Sequence, residues 1–319
     1  MAKRLEALVE GRVTHESAAA SSSGTEQSKA DAKTGSAGAD GDLKDDARAE
    51  AEDLQRLLTR AKEASERGEF AKAIKLGELA LGVAERKLRA APEIADLARV
   101  MLLDLLRRKA AAGDDSRAAL SEAESKRARE LLAASTSFRR DKFGDTSLEY
   151  AEIAALEGEL EMSMRRFAAA ALCLQSAVAI SLKLAPRLKQ TALRLQRLAE
   201  CKAQLAASKD SAADERTALL ADAKRLFVQA AQLHGEAVQR GSVDCEPSQC
   251  EALLGLARAQ ADSGELSEAI ATCKQTRTAL IDRSSASPLS DVATKLLAEL
   301  LLKQGDAQAR KLAESNATA

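Results

Sequence analysis

Tryptophan is absent from this chain of 319 residues, tyrosine occurs once and phenylalanine five times. A surface that reads single-stranded nucleic acid by stacking needs exposed aromatics, so this route is poorly supplied. Charge of one sign is missing too. Forty-eight basic residues stand against 49 acidic ones, a formal net charge of −1. With no basic excess there is no general pull toward nucleic acid. Histidine occurs only at His15 and His234, and there is no Ser/His/Asp arrangement, Gly-rich phosphate loop or metal-ligand cluster. No catalytic centre, cofactor or metal is therefore implied. His234 is expected as a surface or capping residue. The five cysteines, Cys173, Cys201, Cys245, Cys250 and Cys273, are odd in number and lie in a long chain, so no disulfide framework is indicated. Cys245 and Cys250 are the closest pair, but two further zinc ligands at suitable spacing are lacking. No apolar run approaches the ~20 residues that cross a bilayer. A secretory apolar segment is missing at the start, and Glu6, Glu10 and Glu16 argue against a mitochondrial presequence. The expectation is a non-enzymatic protein of the cytoplasm.

What the chain does have is helix-forming residues. Ala, Leu, Glu, Lys and Arg dominate, with 45% hydrophobic and 30% charged residues, enough for a core. Residues 1–43 differ: Ala, Ser, Gly, Asp and Lys follow one another without periodicity, which predicts a disordered tail. At its start Leu5, Leu8 and Val9 share one helical face, read either as a frayed end or as a short docking helix. Asp40 to Asp53 carries seven acids against Lys44 and Arg48 and reads as an acidic lead-in to the first helix.

From there to the end, residues 44–316, apolar residues recur at helical spacing, interrupted at regular places. Leu54, Leu57, Leu58 and Ala61 predict one helix, Gly68 a turn, and Ala73, Ile74 and Ala80 the next helix. Ala252 to Ile281 repeats this pattern, with a turn at Gly264 and small residues at Ala257 and Ala269. The four prolines, Pro92, Pro186, Pro247 and Pro288, each precede a helix that opens a hairpin, where a missing N–H costs nothing. Gly68, Gly113, Gly264 and Gly305 fall where first helices end, the usual place for a left-handed residue. Gly305 is expected to turn the last long helix into a short terminal one. About twelve helices, or six hairpins, result. The stretch 187–237 fits a regular hairpin least well.

The paired helices with small residues at their crossing resemble the tetratricopeptide repeat, over roughly residues 50–315. Ala73 to Pro92 and Ala269 to Pro288 each span 19 residues, against about 12 in a 34-residue unit. The segment LALGVAERKLRAAPEIADLA is similar to the longer repeat variety of kinesin light chains. The resemblance implies a right-handed α-solenoid, all-α, that binds other proteins. It also implies that first helices line the concave face, which would put Lys62, Arg107 and Arg258 in equivalent groove positions, with Glu159 and Glu299 in other hairpins. Grooves of this kind that grip C-terminal carboxylates use two asparagines beside Lys and Arg. This chain has one asparagine, Asn316, near its end, which excludes that mode.

Lys183 to Lys202 is the most basic stretch, with Arg187, Arg194 and Arg197 against the single acid Glu200. It reads either as a solvated helix face or as a patch for an acidic partner segment, which Asp40–Asp53 could occlude. The expected function is thus a scaffold or adaptor that binds a protein segment through a groove, as a monomer or a subunit of a hetero-complex, without membrane or nucleic acid. The alternatives are a fixed architectural subunit of a large cytoskeletal, ciliary or organellar assembly and, more weakly, an RNA-binding solenoid.

Overall fold

The computed structural model describes residues 39–87, 91–112, 120–208, 212–242, 245–283 and 288–317. Eleven helices and no strand occur among them. Most of the expected tail, and Gly113, lie outside the described residues. Two compact units are present, 1–142 and 143–319.

The first unit holds α1 (Ala39–Glu66), α2 (Phe70–Lys87), α3 (Pro92–Ala111) and α4 (Glu122–Phe143). The acidic stretch 40–53 is the N-terminal half of α1 rather than a free lead-in. Ala51 is buried there, and Asp53 accepts a 3.1 Å hydrogen bond from Arg56 three residues further along the same helix. Leu54, Leu58 and Ala61 of α1 and Ala73, Ala80 and Leu81 of α2 are buried, and the two helices pack together. The α3 helix is buried on nearly all sides, through Ile94, Leu97, Met101, Leu102, Leu103, Leu105 and Leu106. A Cβ on Gly77 of α2 would stand 3.0 Å from Leu102 Cδ1, so these two helices cross closely. The start of α4 is a capping box: Ser121 Oγ accepts from the Glu124 N–H, and Glu124 Oε2 accepts from the Ser121 N–H. On α4, Ser135 and Arg139 both donate to Asp96 of α3, and all three side chains are buried.

The second unit holds α5 (Leu148–Ser163), α6 (Phe167–Leu184), α7 (Lys189–Ala207), α8 (Ala213–Gln239), α9 (Glu246–Asp262), α10 (Leu266–Arg283) and α11 (Pro288–Ala317). The cap at the start of α5 is Ser147, whose Oγ accepts from the Tyr150 N–H. The stretch that fitted least well, 187–237, is a hairpin after all: α7 and α8 pack along one another, joined by a longer turn. Gly305 does not end a helix, because α11 runs unbroken through it to Ala317. Glycine permits a left-handed turn but does not impose one. Pro92 and Pro247 occupy first-turn positions as expected, whereas Pro186 sits in the turn ahead of α7.

The 18-residue helix α6 is long and apolar enough to cross a membrane by length and composition, which corrects the expectation that no run comes near that size. In the structure it pairs with α5, and its Ala170, Leu174, Ala177 and Val178 are buried. Gly158 of α5 accommodates that crossing, since a Cβ there would lie 2.6 Å from Leu174 Cγ.

Among the described residues four helices close with the same bonding pattern. In each, the N–H of the residue after the left-handed one reaches back five positions, as Glu69 does to Ala64 O, Arg166 to Glu161, Ser242 to Ala237 and Glu265 to Gln260. The left-handed residue is Gly68, Gly241 or Gly264 in three of them, but Arg165, at φ 60°, in the fourth. A side chain in that region costs about 1–2 kcal/mol, part of which glycine gives back through its freer unfolded chain. Arg165→Gly is therefore expected to stabilise the protein by about 0.5–1 kcal/mol, read as a higher urea midpoint with an unchanged slope.

Candidate interaction surface

Within the second unit the first helix of each hairpin touches the first helix of the next, so α5, α7, α9 and α11 form a row. In the first unit α1 and α3 stand in the same relation. Arg194 and Arg197 both project from α7 in the middle of the longer row. Arg194 is half-buried and its Nη1 donates to Ser181 Oγ of α6 at 2.5 Å. Burial lowers its pKa, and Glu152 and Glu159 of α5 oppose that loss of charge. Arg197 is also affected by burial, but the net shift is upward, because Glu200 beside it, then Glu159 of α5 and Glu251 of α9, hold the charge. The Arg197 to Glu200 bond is 2.7 Å.

The predicted basic stretch is thus divided among several partners. Arg187 precedes α7 in an exposed turn, where its carbonyl accepts from Arg240, and it does not share the helix face with Arg194 and Arg197. Lys202 is buried against Asp222 of α8. Arg258 is exposed on α9. The other two groove candidates belong to the first unit. Lys62 is exposed on α1, 3.7 Å from Glu66, and Arg107 of α3 is part-buried and donates to Asp104 at 2.5 Å. The matching acids were missed as a set because they come from different hairpins, and only a register between repeats would have aligned Glu152, Glu159 and Glu251.

Chemistry that needs a reactive group finds poor footing elsewhere in the described residues. Burial, then Glu157, pushes the Cys173 thiol up to about 11, and burial does the same for Cys201. Such thiols stay protonated and weakly nucleophilic near neutrality. No group of three or more His, Cys, Asp or Glu that could hold a metal occurs among the described residues. A cavity of about 200 Å³ between α9 and α10 is lined by Gln249, Cys250, Leu253, Thr272, Gln275, Thr276 and Ala279, with no carboxylate or cation.

His234 is a core residue, contrary to expectation: it is fully buried in α8, and neither ring nitrogen has a hydrogen-bond partner. Its neighbours at helical spacing, Phe227, Ala230, Ala231 and Ala237, are buried on the same side of the helix. Burial lowers its pKa and the Lys189 ammonium lowers it further. The folded protein refuses a proton that the unfolded chain accepts near its ordinary value of about 6.5. Stability should therefore fall as pH drops through that value and level off below the folded pKa. Urea midpoints taken between about pH 7.5 and about pH 5 should decline more steeply for the parent than for His234→Leu; parallel declines would assign the acid sensitivity to other groups.

No protein-family model matches the chain, and neither does any curated protein. Solved structures do. A putative kinesin light chain with nearly identical TPR-like repeats, from Podosopora anserina, aligns with a TM-score of 0.53 at 16% identity, over 72% of this chain and 96% of that one. BtubC (BKLC) from P. vanneervenii aligns with a TM-score of 0.52 at 16% identity, over 77% of this chain and 89% of that one.

Proposed function

We propose that this chain, whose fold is that of TPR-like helical repeats, is a non-enzymatic scaffold that holds a segment of another protein on the α5–α7–α9 row. The observation that carries this reading is the charge on that row: Glu152 and Glu159 of α5 and Glu251 of α9 act electrostatically on Arg194 and Arg197 of α7, across three successive first helices. Exposed and half-buried charges of both signs at fixed spacing select a partner and its register more than they add raw affinity. Lys62 and Arg107 are the corresponding candidates on the α1–α3 row, and Arg187 and Arg258 flank the longer one.

A second reading, a fixed structural subunit, draws on Leu172 of α6 and Leu302 of α11, each 70% exposed. Large apolar side chains in water mark contact surfaces when they cluster. Cross-linking of the full chain to its partners in native lysate, with reagents that join carboxylates to amines, separates the two. Links from Glu152, Glu159 and Glu251 are expected. Links confined to α6 and α11 would favour the structural subunit and retire the row as the docking surface.

A further inference from the structure

We infer that the cavity between α9 and α10 is a separate binding site, and that it takes a primary carboxamide, the side chain of an asparagine or glutamine on a partner protein. The site does not depend on the α5–α7–α9 row. By helical spacing Gln249 and Leu253 lie on a different side of α9 from Glu251 and Arg258.

Sites for drug-sized ligands run from about 300 Å³ upward. A cavity of about 200 Å³ holds one side chain or a molecule as small. It can be reached from solvent, since Gln275 on its wall is exposed and Gln249 is half-buried. No carboxylate or cation lines it, and burial raises the pKa of the Cys250 thiol, so that group is neutral as well.

Two side-chain amides stand unused in this space. Among the described residues neither Gln249 nor Gln275 has a hydrogen-bond partner. Gln260, further along α9, is satisfied by contrast: its Oε1 accepts from Thr272 Oγ1 at 3.0 Å. Thr276 Oγ1 donates to the Thr272 carbonyl at 2.9 Å. Both hydroxyl protons are thus spent within the protein, and their oxygens remain as acceptors. The Gln249 amide also owes its place to a glycine. Gly235 stands in α8, where glycine is a poor helix former, and a Cβ there would come within 2.8 Å of Gln249 Nε2.

Whichever way the two amides are turned, each offers donors and an acceptor. A carboxylate only accepts and an ammonium only donates, and the cavity holds no counter-charge for either. A hydroxyl meets a planar amide through one bond at a time. A trans peptide group points its N–H and C=O in opposite directions. A primary carboxamide carries donor and acceptor side by side, and it can pair with a glutamine amide through two parallel bonds. Leu253 and Ala279 give its methylenes an apolar wall.

Saturation-transfer NMR on the full chain, with propionamide, propionate, propylammonium and propanol as probes, tests the class. Propionamide should bind most tightly, and Gln249→Met and Gln275→Met should each weaken it about fivefold. Gly235→Ala should weaken it too without lowering the urea midpoint, because the displaced amide comes with a better helix former. N-acetylglutamine N-methylamide should bind at least as well as propionamide. Binding of propionamide alone would overturn the partner side chain in favour of a free small amide. Preference for a charged probe or the alcohol, binding that ignores all three substitutions, or no binding would overturn the inference.

Discussion

Asp96→Ala is expected to lower the stability of the protein by about 3–5 kcal/mol, a large share of what a domain possesses. Asp96 is 5% exposed and Arg139 3%, and the two are joined at 2.8 Å between α3 and α4. Removing the carboxylate takes the Asp96 ion pair from a buried guanidinium, and Ser135 loses its acceptor. The pair itself is a poor source of net stability, because two charges were taken out of water to make it. The double variant Asp96→Leu/Arg139→Met should therefore recover most of the loss. Urea denaturation of the parent, the single and the double variant decides this. A double variant no better than the single would mean that the pair does more than cancel its own desolvation.

Phe227→Ala should cost a similar amount, about 3–5 kcal/mol, through transfer and cavity terms together. Phe227 is 2% exposed and is the largest fully buried side chain among the described residues. It lies over Gly255 of α9, where an added Cβ would come within 2.4 Å of the ring at Cε1. Gly255→Ala alone should cost about 1–3 kcal/mol by overpacking. The two changes touch the same space, so their effects should not add: Phe227→Leu/Gly255→Ala is expected to be more stable than the sum of its parts predicts. Strict additivity would show that the ring and the glycine are not in contact.

Repeat architecture was legible where backbone geometry dictates residue type. Left-handed turns at Gly68 and Gly264 and first-turn prolines at Pro92 and Pro247 could be read directly, because few other residues fit those positions. Arg165 shows the limit: the bonding around it suffices to hold a non-glycine residue at φ 60°, and nothing in its identity announces that. Gly305 shows the converse, a glycine that stays helical. The α7–α8 hairpin was obscured because polar residues are buried within it, including His234, Gln196 and Lys202, which breaks the apolar periodicity that marks a helix face. On the candidate surface the arginines were visible as a run in sequence, while the carboxylates facing them were scattered from Glu152 to Glu251. A charge patch belongs to a surface, and a linear reading counts only one helix of it.

One small detail at the start of α5 makes the two units separately observable. The backbone N–H capped by Ser147 belongs to Tyr150, the only tyrosine in a chain without tryptophan. Intrinsic emission excited in the near ultraviolet therefore arises from the second unit alone, while the first is dark in that window. Far-ultraviolet circular dichroism reports helix throughout. Followed side by side during heating or denaturant titration, the two signals coincide if the units melt together and part if they do not, so cooperativity can be measured without attaching a dye or changing a residue.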